Sequence, residues 1–136
     1  MLKNKLILYS LIGALVLGLT IGIFAFRGNK AKFNKAKVDQ KQIPNGWSPT
    51  LLAKQLYEAM EDITWSNDAT ELALEELNSL NDEQFKAVYN EFNKNHGNDS
   101  WFEKGSLRDW INDEYGLASS KIGFAVLERM DRLNLT

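Results

Sequence analysis

The chain has 136 residues, of which 44% are hydrophobic and 25% charged, and it contains no cysteine. This composition excludes disulfide bonds and thiolate metal sites. The net charge of −2 divides unevenly, since residues 1–41 carry +7 and residues 42–136 carry −9. An acidic body of this kind is unlike a nucleic-acid-binding surface, so we expect no nucleic-acid partner for it.

The N-terminal part contains an apolar run, residues 6–26, without a charged residue. As a helix it would be about 31 Å long, close to the thickness of a bilayer's hydrocarbon core. A cleaved signal peptide is the alternative, but its apolar segment normally has about 7–15 residues and ends at small residues. This run is longer and ends in "GIFAFRG". Residues 1–26 therefore predict a short tail and one retained transmembrane helix, which makes the lipid bilayer an expected partner.

Small residues occupy every fourth position in the middle of this run, namely Ser10, Ala14, Gly18 and Gly22. Four residues advance an ideal helix by about 400°, so these side chains line one face. Membrane helices gain no hydrophobic benefit from association and depend on close packing. We predict that this face packs against a second copy, giving a homo-oligomer, or against the membrane helix of a partner protein.

A basic segment, residues 27–46, follows the apolar run and ends in "IPNG", which breaks any helix continuing from the membrane. We interpret it as a juxtamembrane linker whose lysines can bind anionic lipid headgroups. The positive-inside rule places the following domain on the cytoplasmic side or in the interior of a particle, although the basic N-terminus competes for that side. The basic residues that follow the run most closely are Arg27, Lys30, Lys32, Lys35 and Lys37.

From Trp47 onward, apolar residues recur with helical spacing and no strand-like alternation persists. Five segments show this pattern: 48–62, 66–80, 81–95, 105–116 and 119–133. They predict an acidic, all-α domain of five short helices over residues 47–136. The expected core positions are Leu52, Leu56, Ala59, Met60, Leu72, Leu77, Leu80, Phe85, Val88, Tyr89, Phe92, Leu107, Trp110, Ile111, Ile122, Val126, Leu127 and Met130.

Four short motifs occur in the first and third of these segments and in the loop after the first. The first helix ends in an Ala-Met pair, the next loop has Ser-Asn-Asp, and the third helix has an Asn-x-x-Gln start and a Val-Tyr pair. The residues are Ala59, Met60, Ser66, Asn67, Asp68, Asn81, Gln84, Val88 and Tyr89. In this order they resemble one annexin repeat, over roughly residues 48–133, which implies an annexin-like bundle of five helices.

The resemblance also implies where calcium would bind: backbone carbonyls of a glycine-rich first loop and a downstream carboxylate. The loop here reads "EDITWS" and has no glycine, although Asp113 or Glu114 could supply the carboxylate. Calcium needs about six to eight oxygen ligands. A lone histidine, His96 in "NKNHGND", cannot build a zinc site without further ligands, and we expect it to be a solvated loop residue. We therefore predict no metal and no cofactor.

Three aromatic residues lie in polar loops: Trp65, Trp101 and Phe102. They either fold back over the core or contact a partner, so they are candidates for partner contact. A single repeat of a family that normally packs repeats together also favours a neighbour.

The sequence contains no phosphate-binding loop, no nucleophile elbow and no histidine–carboxylate metal motif. Its paired acids are adjacent in sequence and point to different sides of a helix, so we expect no enzyme. The pattern favours a structural or assembly component of a membrane complex, or of the virion membrane of a lipid-containing virus. The alternative is a phage-type lysis protein of holin or spanin type, although the sustained heptads of spanins are absent here.

Overall fold

The computed structural model describes residues 33–61, 68–97, 105–114 and 117–136. These ranges contain five α-helices, one short 3-10 turn at Gln40–Gln42 and no strand. The helices are α1 Thr50–Glu61, α2 Asp68–Ser79, α3 Asp82–Asn95, α4 Leu107–Asp113 and α5 Lys121–Arg132. The prediction of an all-α bundle of five helices is confirmed.

The predicted membrane helix and its small-residue face lie outside the described residues. The same holds for Arg27, Lys30 and Lys32 of the basic segment and for the loop aromatics Trp65, Trp101 and Phe102. Within the described ranges, none of the helices has the length and hydropathy of a membrane span.

Side-chain caps fix the start of three helices. At α3, Asn81 Oδ1 accepts from the backbone N–H of Gln84 at 2.8 Å, and Gln84 Oε1 accepts from that of Asn81 at 3.2 Å. Ser106 and Asp109 form the same reciprocal pair at α4, and Ser120 caps α5. Each cap satisfies a backbone N–H that has no partner within its own helix.

The core lies where α1 packs on α2 and α3, and where α5 packs on α2 and α4. Most of the expected core is confirmed, including the four positions of α3, each 0% exposed: Phe85, Val88, Tyr89 and Phe92. Burial of each such side chain contributes about 1.5–3 kcal/mol relative to exposure. The bundle therefore owes its stability mainly to this apolar stripe and its partners.

The expectation for Leu72 is wrong, because its side chain is 65% exposed. The buried face of α2 is formed by Thr70, Ala73, Leu74 and Leu77, at helical spacing. Leu72 precedes Leu74 by two residues, which is about 200° around a helix. It therefore lies on the opposite face.

Residues 33–46 belong to the same compact unit as the five helices. The helical domain predicted from the sequence begins later, at Trp47. Ala36 and Trp47 both pack against the core. The described part of the predicted linker is consequently docked on the bundle.

Candidate functional site

The most specific polar contacts of the described chain join an extended segment, residues 33–43, to one face of α3. We call this segment the strap. Its polar partners are Asn81, which caps α3, and Glu83 and Asn90 of α3 itself. The ring of Phe33 lies against Gly97, just beyond α3, so closely that a Cβ on Gly97 would overlap it. At the other end, Asn81 Nδ2 donates to the carbonyl of Gln42 at 3.1 Å. The strap therefore runs antiparallel to α3 along its whole length.

Asn90 clamps the centre of the strap. Its Oδ1 accepts from the backbone N–H of Ala36 at 2.8 Å, and its Nδ2 donates to the carbonyl of the same residue at 2.9 Å. One amide side chain thus satisfies both backbone groups of one residue, as a neighbouring β-strand would. The contact recognises the strap's backbone and does not depend on which side chain stands at position 36.

Glu83 binds the strap nearer to its C-terminal end, at Asp39. Its Oε2 accepts from the backbone N–H of Asp39 at 2.6 Å, while its Oε1 contacts Lys86 Nζ at 2.5 Å. The Lys86 ammonium, together with the Asp39 N–H, lowers the pKa of the Glu83 carboxyl below its ordinary value. Glu83 and Asn90 are seven residues apart, about two helical turns, so they share one side of α3.

The strap's side chains alternate in exposure, as in any extended chain. Ala36 and Val38 are half-buried, whereas Lys35 and Lys37 are exposed. These two members of the predicted basic group therefore face solvent while the backbone beside them is held by α3. Their predicted contact with lipid headgroups stays a prediction.

A tight turn links the strap to α1. The backbone N–H of Trp47 donates to the carbonyl of Pro44 at 3.1 Å, and Gly46 has a φ of 79°. A positive φ at this position of a turn favours glycine, because other side chains are strained there. Pro44, Asn45 and Gly46 are exposed, so the turn is a surface connection between two packed segments.

A second polar network surrounds Arg129 of α5. Its guanidinium donates to the carbonyls of Asn78 and Leu80, both at 2.7 Å, and to Asp82 Oδ1 at 2.8 Å. It also lies 4.6 Å from the centre of the Phe85 ring. Arg129 therefore fixes the turn between α2 and α3 to α5.

His96 belongs to an aromatic cluster, so the expectation of a solvated loop residue is wrong. Its ring stacks on Tyr57 with centroids 4.4 Å apart, and it also meets Phe92 at 5.7 Å. Trp110 also belongs to the cluster, and its ring centroid lies 5.7 Å from that of Tyr57 and 5.6 Å from that of Phe92. The histidine follows Phe92 by one helical turn, which carries it onto the same side of α3.

The two acids considered for calcium lie at the end of α4. Asp113 is exposed, and Glu114 caps the helix, its backbone N–H donating to the carbonyl of Trp110 at 3.0 Å. Over the described part of the chain, no group of three or more His, Asp or Glu side chains is placed to hold a metal ion. The first loop, residues 62–67, lies outside that part, so the absence of calcium binding stays a prediction.

Comparison of the chain with protein-family models, with curated proteins and with solved structures gave no match. The annexin resemblance therefore rests on the sequence motifs alone and stays a prediction. The strap contacts were not predicted from the sequence. Asn90 and Glu83 are ordinary polar residues on a helix, and the apolar periodicity of that helix indicates only which of its faces is buried.

Proposed function

We propose that this chain is a non-enzymatic, single-pass membrane protein that serves as a structural or assembly component, in a membrane complex or in the membrane of a lipid-containing virus. The observation that carries the proposal is the uncharged run of 21 residues at positions 6–26. A folded helical unit follows it after a few basic residues. No metal or cofactor is part of the proposal.

The docked strap supports this role. Phe33 follows the end of the apolar run by only seven positions, and from there the backbone is held on α3 by Asn90, Glu83 and Asn81. A Gly-rich or Ser-rich linker behaves as a flexible coil and would let a domain change its position freely. In this chain only six residues, 27–32, lie between the apolar run and Phe33 in the sequence, and so short a connection suits a component of a membrane assembly.

Assembly is tested by expressing two differently tagged full-length copies and purifying one tag from detergent-solubilised membranes. We expect the second copy to co-purify, because the small-residue face allows close helix packing. Replacing Gly18 and Gly22 by isoleucine should reduce the co-purified fraction several-fold. Replacing Leu15 and Leu19 by isoleucine is the matched control and should leave that fraction nearly unchanged.

The same cells separate this proposal from the lysis alternative. Overexpression of a structural component should leave the culture's optical density rising. A sharp drop in density after induction, abolished by deleting residues 6–26, would favour a holin-like or spanin-like protein instead.

A further inference from the structure

The turn between the strap and α1 contains the only asparagine of the chain that is followed by glycine, Asn45. The bond from the Trp47 N–H to the Pro44 carbonyl closes this turn and places Asn45 and Gly46 at its two central positions. Both of these residues are exposed. Asparagine is a thermolabile residue, and here its side-chain amide adjoins a backbone nitrogen that no side chain shields.

The surroundings of Gly46 leave its backbone nitrogen open to reaction. Within the described residues, neither the Gly46 N–H nor the Asn45 side chain has a hydrogen-bond partner. A Cβ built on Gly46 would have no atom within 4 Å, so no described residue packs over this side of the turn. The approach of the Gly46 nitrogen to the Asn45 amide is therefore limited by the conformation of the turn's own backbone.

Other described asparagines lack this combination of features. Asn134 is also exposed, but the N–H that follows it, that of Leu135, donates to the carbonyl of Met130 at 2.9 Å. Leu135 is itself 4% exposed, so its backbone nitrogen is both bonded and covered. The side-chain amide of Asn90 is bonded at both ends to the strap. Asn45 alone among the described asparagines combines an exposed amide with a following glycine.

We propose that Asn45 is a site of spontaneous deamidation. The Gly46 nitrogen attacks Cγ of Asn45 and forms a new C–N bond. The Cγ–Nδ2 bond breaks, and Nδ2 leaves as ammonia with the proton of the Gly46 N–H. Water then opens the resulting succinimide ring, giving aspartate if it attacks the side-chain carbonyl and isoaspartate if it attacks the backbone carbonyl. Water is the only co-reactant.

The product changes both the charge and the backbone of the turn. Either form carries a carboxylate that is ionised at neutral pH, so a negative charge appears where the strap meets α1. In isoaspartate the main chain passes through the side-chain carbons, which adds an atom to the path from Pro44 to Trp47. The 3.1 Å bond between those two residues depends on that path, so isoaspartate alters the turn. This inference depends only on residues of the turn and is independent of membrane attachment.

Incubation of the full-length protein at neutral pH and physiological temperature, followed by brief tryptic digestion in mildly acidic buffer, tests the proposal. Trypsin releases Asn45 in residues 42–54 and Asn134 in residues 133–136. We expect the 42–54 peptide to convert to aspartate and isoaspartate forms, resolved by chromatography and mass spectrometry, at least several-fold faster than the 133–136 peptide. An unconverted 42–54 peptide, or equal rates for the two peptides, would overturn the proposal.

Two variants test the route of the reaction. Gly46→Ala places a Cβ beside the attacking nitrogen and should slow the conversion of Asn45 several-fold. Ser48→Ala, at an exposed position just after the turn, is the matched control and should leave the rate nearly unchanged. In the wild-type protein the rate should rise with pH, because the attacking nitrogen must lose its proton. Conversion of Gly46→Ala as fast as wild type, or a rate that does not change with pH, would contradict attack by the Gly46 nitrogen.

Discussion

The guanidinium of Arg129 donates hydrogen bonds to several acceptors at the turn between α2 and α3. It satisfies the carbonyls of Asn78 and Leu80, where α2 ends, and pairs with Asp82, where α3 begins. Hydrogen bonds from a charged donor are roughly twice as strong as neutral ones. Arg132 reaches the same carboxylate at 3.2 Å and lowers its pKa, but the Arg132 side chain is 61% exposed, so solvent screening leaves this pair only a small contribution to the free energy of unfolding.

Arg129→Ala should lower the free energy of unfolding by about 2–3 kcal/mol, because it leaves partly buried carbonyls without a donor. Arg132→Ala should cost about 0–1 kcal/mol, as for other exposed pairs. Thermal unfolding followed by circular dichroism measures both. Equal losses for the two variants would contradict the role assigned to Arg129.

The pKa of Asp82 is lowered below its ordinary value of 3.8, first by its hydrogen bond to Arg132 and then by that to Arg129. A folded pKa below the unfolded one means that the ionised carboxylate stabilises the fold above pH 3.8. This contribution is lost as the pH falls through the lower, folded pKa. Asp82→Asn should therefore be less stable than wild type near neutral pH, and the difference should narrow in acid. A difference that stayed constant down to pH 3 would show that Asp82 does not titrate in this way.

Among the elements, α5 depends on a close approach at its first turn. A Cβ on Gly123 would overlap the carbonyl oxygen of Leu117, in the loop before the helix. Gly123→Ala must therefore push the loop from α5 and should cost about 1–3 kcal/mol, although alanine is the better helix former. Lys121→Ala, at an exposed position of the same turn, should change stability by about 0.5 kcal/mol or less. Chemical denaturation of the two variants separates packing from helix propensity, and a stabilised Gly123→Ala protein would contradict this contact.

The helices were predictable because each carries its own signals. In α3, the apolar residues 85, 88, 89 and 92 recur at helical spacing, and Asn81 with Gln84 marks its start. The same Asn-x-x-Gln motif that suggests an annexin repeat is physically a capping box. Leu72 was misplaced because its segment has apolar residues on both sides, so the sequence leaves the buried face of α2 undecided.

The strap was not predictable for a different reason. Its lysines and the Pro-Asn-Gly turn that follows it are typical of a solvated linker. Its bonds to α3 are made by its backbone atoms, so they do not depend on which residue types the strap contains. His96 was misjudged similarly, since its ring partner Tyr57 is distant in sequence. Such contacts join residues that are distant in sequence and form only when the helices pack together, so the pattern within one segment does not indicate them.

At the scale of the whole chain, the apolar run at residues 6–26 precedes the strap, which begins at Phe33. The helical unit has its own buried core and its own caps. Residues 42–136 carry a charge of −9 and residues 1–41 a charge of +7, although the lysines at positions 35, 37 and 41 lie on the strap that packs against the bundle. Membrane attachment through residues 6–26 is therefore the central claim.

Alkaline carbonate extraction of membranes tests that claim most directly. Full-length protein should remain in the membrane pellet, because a helix of about 20 apolar residues is held by the bilayer core. A variant lacking residues 6–26 should be released to the supernatant while keeping the helical circular dichroism of the bundle. Release of the full-length protein by carbonate would contradict the account, and so would retention of the deletion variant in the pellet.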